Sequence, residues 1–148
     1  MKHTPFSVSV TLWANRLVAL TVGILLFTLP SLLDWYCQFR VLLLLERTAI
    51  TAAFYCCAVV IAIALWNLDG LLRSIQKALV FTGENVRRIS SVSLCCGITA
   101  LICAVAALAY YPLVFMAVVM GFLCLVVSVV RQVMAAAVTI REENDLTI

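Results

Sequence analysis

The chain alternates long apolar runs with short polar interruptions, and this pattern predicts membrane-spanning helices. Four runs of roughly 20 residues each match a hydrocarbon core of about 30 Å at about 1.5 Å per residue. We place the spans at about residues 12–33, 48–66, 89–109 and 113–131. No span carries an unpaired ionisable side chain at its centre, which pumps and ion-coupled transporters usually have. The pattern therefore predicts one all-α integral membrane domain with four transmembrane helices.

Local signals mark the ends of these spans. Pro30 is expected to kink or end the first helix, and Trp35 and Tyr36 favour the headgroup level of a bilayer. Residues 41–45 form an apolar run that is too short to cross a bilayer. They are expected either to lie on the membrane surface or to begin the second helix. Residues 110–112 predict a tight, uncharged turn between spans three and four.

The polar stretch at residues 67–88 is the longest interruption of the apolar pattern. Its first half places leucine and isoleucine at the spacing of one helical face. This spacing predicts an amphipathic cytoplasmic helix at residues 68–80, lying in the interface or covering the inner ends of the bundle. Gly83 is expected to break that helix. Thr82 is expected to be the N-cap of the next one, with Glu84 in its first turn, where a carboxylate suits the helix dipole.

Composition excludes a soluble domain. The chain has 148 residues, of which 66% are hydrophobic and 11% charged, and its mean hydropathy is +1.17. Soluble domains carry about 25% charged residues and about 45–50% apolar ones. The net charge of +3 matters here through the positions of the charges rather than through their sum.

Lysine and arginine sort to the cytoplasmic side of membranes, so their positions predict the orientation of the chain. With an even number of spans, both termini and residues 67–88 share one side. That side holds eight basic residues, whereas the other side holds two, Arg40 and Arg47. We therefore expect a multi-pass plasma-membrane protein with cytoplasmic termini and with residues 34–47 and 110–112 outside. The eight are Lys2, Arg16, Arg73, Lys77, Arg87, Arg88, Arg131 and Arg141.

The sequence offers little for catalysis, metal binding or nucleic-acid binding. Its seven cysteines are an odd number without metal-like spacing, so we expect packing residues rather than a disulfide framework or zinc site. His3 is the single histidine, and no nucleophile elbow or phosphate-binding loop is present. The basic residues form no long run and no aromatics interleave with them. We predict no enzymatic activity, no cofactor and no direct contact with nucleic acid.

A candidate partner-docking surface lies on the predicted cytoplasmic face. The arginines there have two explanations. They anchor the protein to anionic headgroups, at about 1 kcal/mol each, or the acidic tail pairs with the edge formed by Arg87 and Arg88 and the two together receive a protein. The candidate docking residues are Arg73, Lys77, Glu84, Asn85, Arg87, Arg88, Glu142, Glu143, Asn144 and Asp145.

Two segments are distinctive beyond composition, namely FTGENVRRIS at residues 81–90 and REENDLTI at residues 141–148. Together they resemble the bacterial four-span membrane family known as domain of unknown function 2975. That family has a similar F-[ST]-x-E-N-V-R-R segment before its third span and a chain end similar to K-E-E-N-D-L-T-I. Arg141 stands where lysine is more usual, a departure that keeps the charge. The resemblance covers the chain from about span one to Ile148.

The resemblance implies a plasma-membrane protein of Gram-positive type whose activity is not established. Members of the family are often encoded beside a small helix-turn-helix protein, which implies regulation through a cytoplasmic repressor. We therefore expect a non-enzymatic regulatory or interaction module that docks a small cytoplasmic protein, with a helix-turn-helix regulator as one candidate. The alternative is a small transporter or channel subunit that acts as a homo-oligomer.

Overall fold

The protein is all-helical. A computed structural model describes residues 6–39, 43–76 and 82–145. Within these ranges lie four helices, α1 (Phe6–Phe39), α2 (Leu44–Gln76), α3 (Gly83–Ala106) and α4 (Leu113–Asp145). All four are long and apolar enough to cross a membrane. The predicted class, a four-helix membrane protein, is therefore confirmed.

The helices contact one another in sequence order. Helix α1 packs on α2, α2 on α3, and α3 on α4, and no other pair of helices is in contact within the described ranges. Short connections make such neighbours antiparallel. One end of the row therefore carries most of the arginines, and we call it the basic end. The described arginines there are Arg16, Arg73, Arg87, Arg88, Arg131 and Arg141, whereas Arg47 lies at the opposite end.

Many large apolar side chains lie on the outside of the row of helices rather than in an interior core. Phe27 is 87% exposed and Leu108 is 90% exposed. Lipid tails are as apolar as leucine, so packing in a bilayer depends on close contact and hydrogen bonds between helices rather than on hiding apolar surface. Small and polar groups make such contacts here: Ser93 Oγ of α3 donates to the Cys124 carbonyl of α4 at 3.3 Å.

The cysteines belong to this packing. The described ones are free thiols, and Cys57, Cys95 and Cys103 are buried. Cys57 Sγ of α2 lies 4.0 Å from Cys103 Sγ of α3. The three buried cysteines thus serve as small apolar packing residues, as the sequence indicated.

The opposite end is held together by polar contacts. Arg47 at the start of α2 forms an ion pair of 2.6 Å with Asp34 near the end of α1. The Tyr36 and Tyr110 hydroxyls lie 3.3 Å apart, which connects α1 to the turn after α3. That turn falls where residues 110–112 predicted it, and it is closed by a hydrogen bond of 3.1 Å from the Leu113 amide to the Tyr110 carbonyl.

Helix α1 extends beyond its predicted end. It continues through Pro30 to Phe39. Of the two expectations for Pro30, the end of the helix is therefore wrong, and the kink stays a prediction. A proline removes only one backbone donor, and helices in a membrane tolerate this because neighbouring groups can satisfy the freed carbonyl. Helix α2 then starts at Leu44, so the last residues of the 41–45 run begin the second helix.

The helical half of the polar stretch is the end of α2 and not a separate element. Residues 67–76 continue α2 without interruption. The one breaker in this part is Gly70, which costs about 1 kcal/mol relative to alanine and is too weak to end a helix. The predicted apolar face is partly covered, since Leu72 is buried. The remainder of the predicted helix, residues 77–80, lies outside the described ranges.

The start of α3 agrees with the sequence. Thr82 occupies the N-cap position with extended backbone angles, φ −129° and ψ 146°, although its side chain makes no capping hydrogen bond. Its carbonyl accepts hydrogen bonds from the Asn85 amide at 3.0 Å and from the Val86 amide at 3.3 Å, and the second is the first α-helical bond of α3. Glu84 lies in the first turn as predicted. Helix α4 likewise continues past its apolar part, and residues 131–145 add about 22 Å at about 1.5 Å per residue.

Candidate functional site

A polar cavity of about 490 Å³ lies between α2 and α3 at the basic end. Each helix contributes one ion pair between residues four apart. On α2, Arg73 Nε lies 2.7 Å from Asp69 Oδ2, and on α3, Arg88 Nη2 lies 2.6 Å from Glu84 Oε1. In both pairs the acid precedes the base, which is the favourable order along a helix. The cavity is lined by Trp66, Asp69, Gly70, Arg73, Ser74, Glu84 and Arg88.

Arg88 crosses from α3 to the surface of α2. A Cβ atom on residue 70 would lie 2.6 Å from Arg88 Cζ, closer than real Cβ atoms come to other atoms. The absence of a side chain at Gly70 therefore leaves the space that the guanidinium occupies. The sequence signal was a glycine inside a helical pattern, which indicates a close approach without saying what approaches.

Glu84 is held ionised by its neighbour. Arg88 donates to it from Nη2 at 2.6 Å and from Nε at 3.3 Å. This hydrogen bonding, together with the positive charge of the guanidinium, lowers the pKa of Glu84. Glu84 precedes the apolar part of α3 and is 70% exposed. The pair therefore fixes the position of Arg88 more than it stabilises the fold, since solvent screens an exposed ion pair.

The predicted docking residues separate into distinct environments. Arg73, Glu84 and Arg88 meet at the polar cavity, whereas Arg87 is exposed on the surface of α3. Asn85 is completely buried, with 0% of its surface exposed.

The acidic tail is only partly described. Glu143 is exposed on α4. Lys77 lies outside the described residues, as do the side chains of Glu142, Asn144 and Asp145. Arg88 has Glu84 as an ion-pair partner, and pairing of the tail with the edge formed by Arg87 and Arg88 stays a prediction.

The end of α4 carries an apolar stripe that the sequence analysis did not single out. Val129, Val133, Ala136 and Ile140 follow one another at spacings of four, three and four residues, which places them on one side of a helix. All four are exposed, Val133 to 65% and Ile140 to 62%. We call this set the exposed stripe. Its spacing was visible in the sequence, but only the structure shows that no described helix covers it.

An apolar crevice of about 350 Å³ separates α1 from α2 and reaches the polar cavity, because Trp66 and Asp69 line both. At its basic end, Asn15 Nδ2 donates to the Leu65 carbonyl at 3.3 Å. Asn15 Oδ1 and Asp69 Oδ1 are buried and have no hydrogen-bond partner among the described residues. Neither atom was predicted from the sequence, because the burial of a polar side chain at the end of a span depends on the neighbouring helix. The apolar wall of the crevice includes Ala19, Val22, Gly23, Leu26, Ala58 and Ala62.

These features define a multi-pass membrane protein with a polar cluster at one end of four helices. The chain belongs to the DUF2975 family, because the family model described as a protein of unknown function (DUF2975) matches residues 8–148. The resemblance seen in the two sequence segments is thereby confirmed over nearly the whole chain. No curated protein and no solved structure matches the chain.

Proposed function

We propose that the protein is a non-enzymatic module of the plasma membrane that docks a small cytoplasmic protein at its basic end. The exposed stripe of α4 carries this proposal. The part of α4 before its first charged residue, residues 113–130, is about 27 Å long and nearly fills a hydrocarbon core of about 30 Å. The stripe continues beyond it, so Val133 and Ile140 face water or headgroups unless another protein covers them. Apolar residues at this spacing are the anchors by which helices bind in grooves.

The charges at the basic end define the partner. Arg131 on α4 and Arg87 on α3 are both exposed at that end, and they favour a partner that carries carboxylates as well as an apolar contact surface. Such complementarity contributes mainly to specificity and association rate. The concentration of arginine at this end supports a cytoplasmic location, since positive charge sorts to that side. A small helix-turn-helix regulator is the specific candidate, and its release requires only that two states of the module bind it with different affinity.

Photo-cross-linking in cells tests the proposal. A photoreactive amino acid is placed at Val133, or as a matched control at Leu44, which is 85% exposed at the opposite end. We expect a cross-link from position 133 to one small cytoplasmic protein, weakened by Arg87→Ala combined with Arg131→Ala. Cross-links to lipid alone at position 133, or the same product from both positions, would contradict docking.

The alternative function, a transporter or channel subunit that acts as an oligomer, stays a prediction. The same experiment addresses it. Cross-linked species at multiples of the chain mass of 16.2 kDa, obtained without a second protein, would favour the oligomer over the docking module.

A further inference from the structure

We propose that the apolar crevice and the polar cavity together bind one phospholipid with a primary-ammonium headgroup, of the phosphatidylethanolamine class. An acyl chain lies along the crevice between α1 and α2. The phosphate lies beside Arg16, and the ammonium group lies between Asn15 and Asp69. The lipid comes from the leaflet at the basic end. This site is separate from the exposed stripe and does not depend on a protein partner.

Two buried acceptors indicate what the ligand must supply. Arg73 occupies Asp69 Oδ2 at 2.7 Å, but Asp69 Oδ1 is buried and no described group donates to it. Asn15 uses its Nδ2 on the Leu65 carbonyl, which fixes the amide orientation and leaves Oδ1 as a second acceptor without a described donor. Buried acceptors are normally satisfied. An ammonium group carries three N–H donors and a positive charge, so it satisfies both oxygens and balances the carboxylate.

The phosphate has a cation available to it. Arg16 lines the same crevice and forms no ion pair with any described residue. Arg16 and Asp69 thus line one crevice, and a guanidinium together with a carboxylate oxygen to which no described group donates complements a zwitterion, in which a phosphate and an ammonium are close together. Guanidinium groups bind phosphate with several N–H donors at once.

The order of groups along the helices matches the order of groups in the lipid. Going toward the basic end, the crevice first presents Leu26, Gly23 and Ala19, which suit an acyl chain, and then Asn15 and Arg16. Because Asn15 is bonded to Leu65 of the antiparallel helix, Asp69 lies about one helical turn further out. An acyl chain, a phosphate and an ammonium follow one another in the same sequence. The crevice is open to lipid, since Ala19 and Ala62 are exposed.

The chemistry distinguishes between headgroups. A choline headgroup has the same charge as an ethanolamine headgroup but no N–H donor, so it leaves both acceptors unsatisfied. A glycerol headgroup has donors but no cation to balance Asp69. Loss of a hydrogen bond to a charged group reduces affinity by on the order of tenfold. We therefore expect the site to prefer ethanolamine lipids by about that factor over both alternatives.

Native mass spectrometry of the protein from nanodiscs tests the site. The discs contain equal amounts of phosphatidylethanolamine, phosphatidylcholine and phosphatidylglycerol, with matched acyl chains. Wild type is expected to retain one ethanolamine lipid. Asp69→Asn should retain roughly tenfold less of this lipid than wild type. Asp34→Asn, the same change in an ion-paired aspartate at the opposite end, should retain as much as wild type. Equal retention of the three lipids, or full retention by Asp69→Asn, overturns the proposal.

A second pair of variants keeps the test independent of folding at Asp69. A Cβ atom at Gly23 or at Gly121 meets no atom within 4 Å, so a side chain can start at both positions without a clash, but only Gly23 lines the crevice. Gly23→Leu is expected to abolish the retained lipid, and Gly121→Leu is expected to keep it. Glycerophosphoethanolamine, the soluble headgroup, should not displace the lipid at equal concentration. Retention by Gly23→Leu, or displacement by the soluble headgroup, refutes binding in the crevice.

Discussion

Replacement of Asn85 by aspartate would show which of two opposing electrostatic effects on stability is larger. Asn85 lies in the first turn of α3, three residues after the N-cap Thr82, and none of its surface is exposed. Asn85→Asp keeps the shape of the side chain and adds a negative charge. A carboxylate in the first turn of a helix gains about 0.3–1 kcal/mol from the helix dipole, and up to about 2 kcal/mol in favourable geometry. Moving a carboxylate out of water into a fully buried position costs several kcal/mol.

Burial is the larger effect, so Asn85→Asp should destabilise the protein by about 2–3 kcal/mol at neutral pH. The loss should depend on pH in a defined direction. Burial raises the pKa of the introduced carboxyl above its unfolded value of about 3.9. The destabilisation is therefore small at acidic pH, where the group is neutral in both states. It grows as the pH rises from the unfolded pKa to the folded pKa.

Unfolding by sodium dodecyl sulfate in mixed micelles, followed at several pH values, measures this effect. Gly83→Asp is the matched control, because residue 83 is exposed in the same turn and its Cβ position is open. The control should be neutral or stabilising. If Asn85→Asp is as stable as wild type at pH 8, or is equally destabilised at every pH, the assignment of Asn85 to a buried supporting role is wrong. Its place among the candidate docking residues would then deserve a direct test.

Three further predictions concern contacts between helices. Gly121→Ala should stabilise the protein by about 0.5–1 kcal/mol through helix propensity. Gly70→Ala should stabilise it by less, because the new methyl group displaces the guanidinium of Arg88. Equal unfolding midpoints of the two variants in the same assay would contradict this. Asp34→Asn should cost less than about 1 kcal/mol, because the pair it breaks is exposed, and a larger loss would show that the pair holds α1 and α2 together. Oxidation with copper phenanthroline should form a disulfide between Cys57 and Cys103, whose sulfur atoms are 4.0 Å apart. Two fewer thiols should then react with maleimide after unfolding. An unchanged thiol count would mean that α2 and α3 pack differently.

The sequence predicted the helices well and their boundaries less well. Four apolar runs required four helices, and Thr82 marked the start of α3. Helix α1 extends further than expected because a membrane helix tolerates Pro30, and α2 extends further because the polar residues after Trp66 stay helical. The change in hydropathy along the chain marks where a helix leaves the hydrocarbon core. It does not mark where the helix ends, because the helix can continue into water.

The polar cavity was predicted only in part. The two ion pairs could have been predicted from the sequence, because residues four apart on a helix are neighbours. The contact between Gly70 and Arg88, and the burial of Asn15 and Asp69, depend on how each helix is rotated about its axis. In a soluble protein, the apolar stripe sets that rotation. In these helices nearly every face is apolar, so hydropathy carries no such information and the contacts between helices could not be derived from it.

The sequential order of the helices has a consequence for biosynthesis. Among the described helices, α2, α3 and α4 each pack on the helix made immediately before them. Such local contacts require little loop-closure entropy, and they favour rapid assembly. Each new helix that enters the membrane during translation therefore meets its preceding partner already in place. The row can grow by addition at one edge, without any rearrangement of the helices that were inserted earlier.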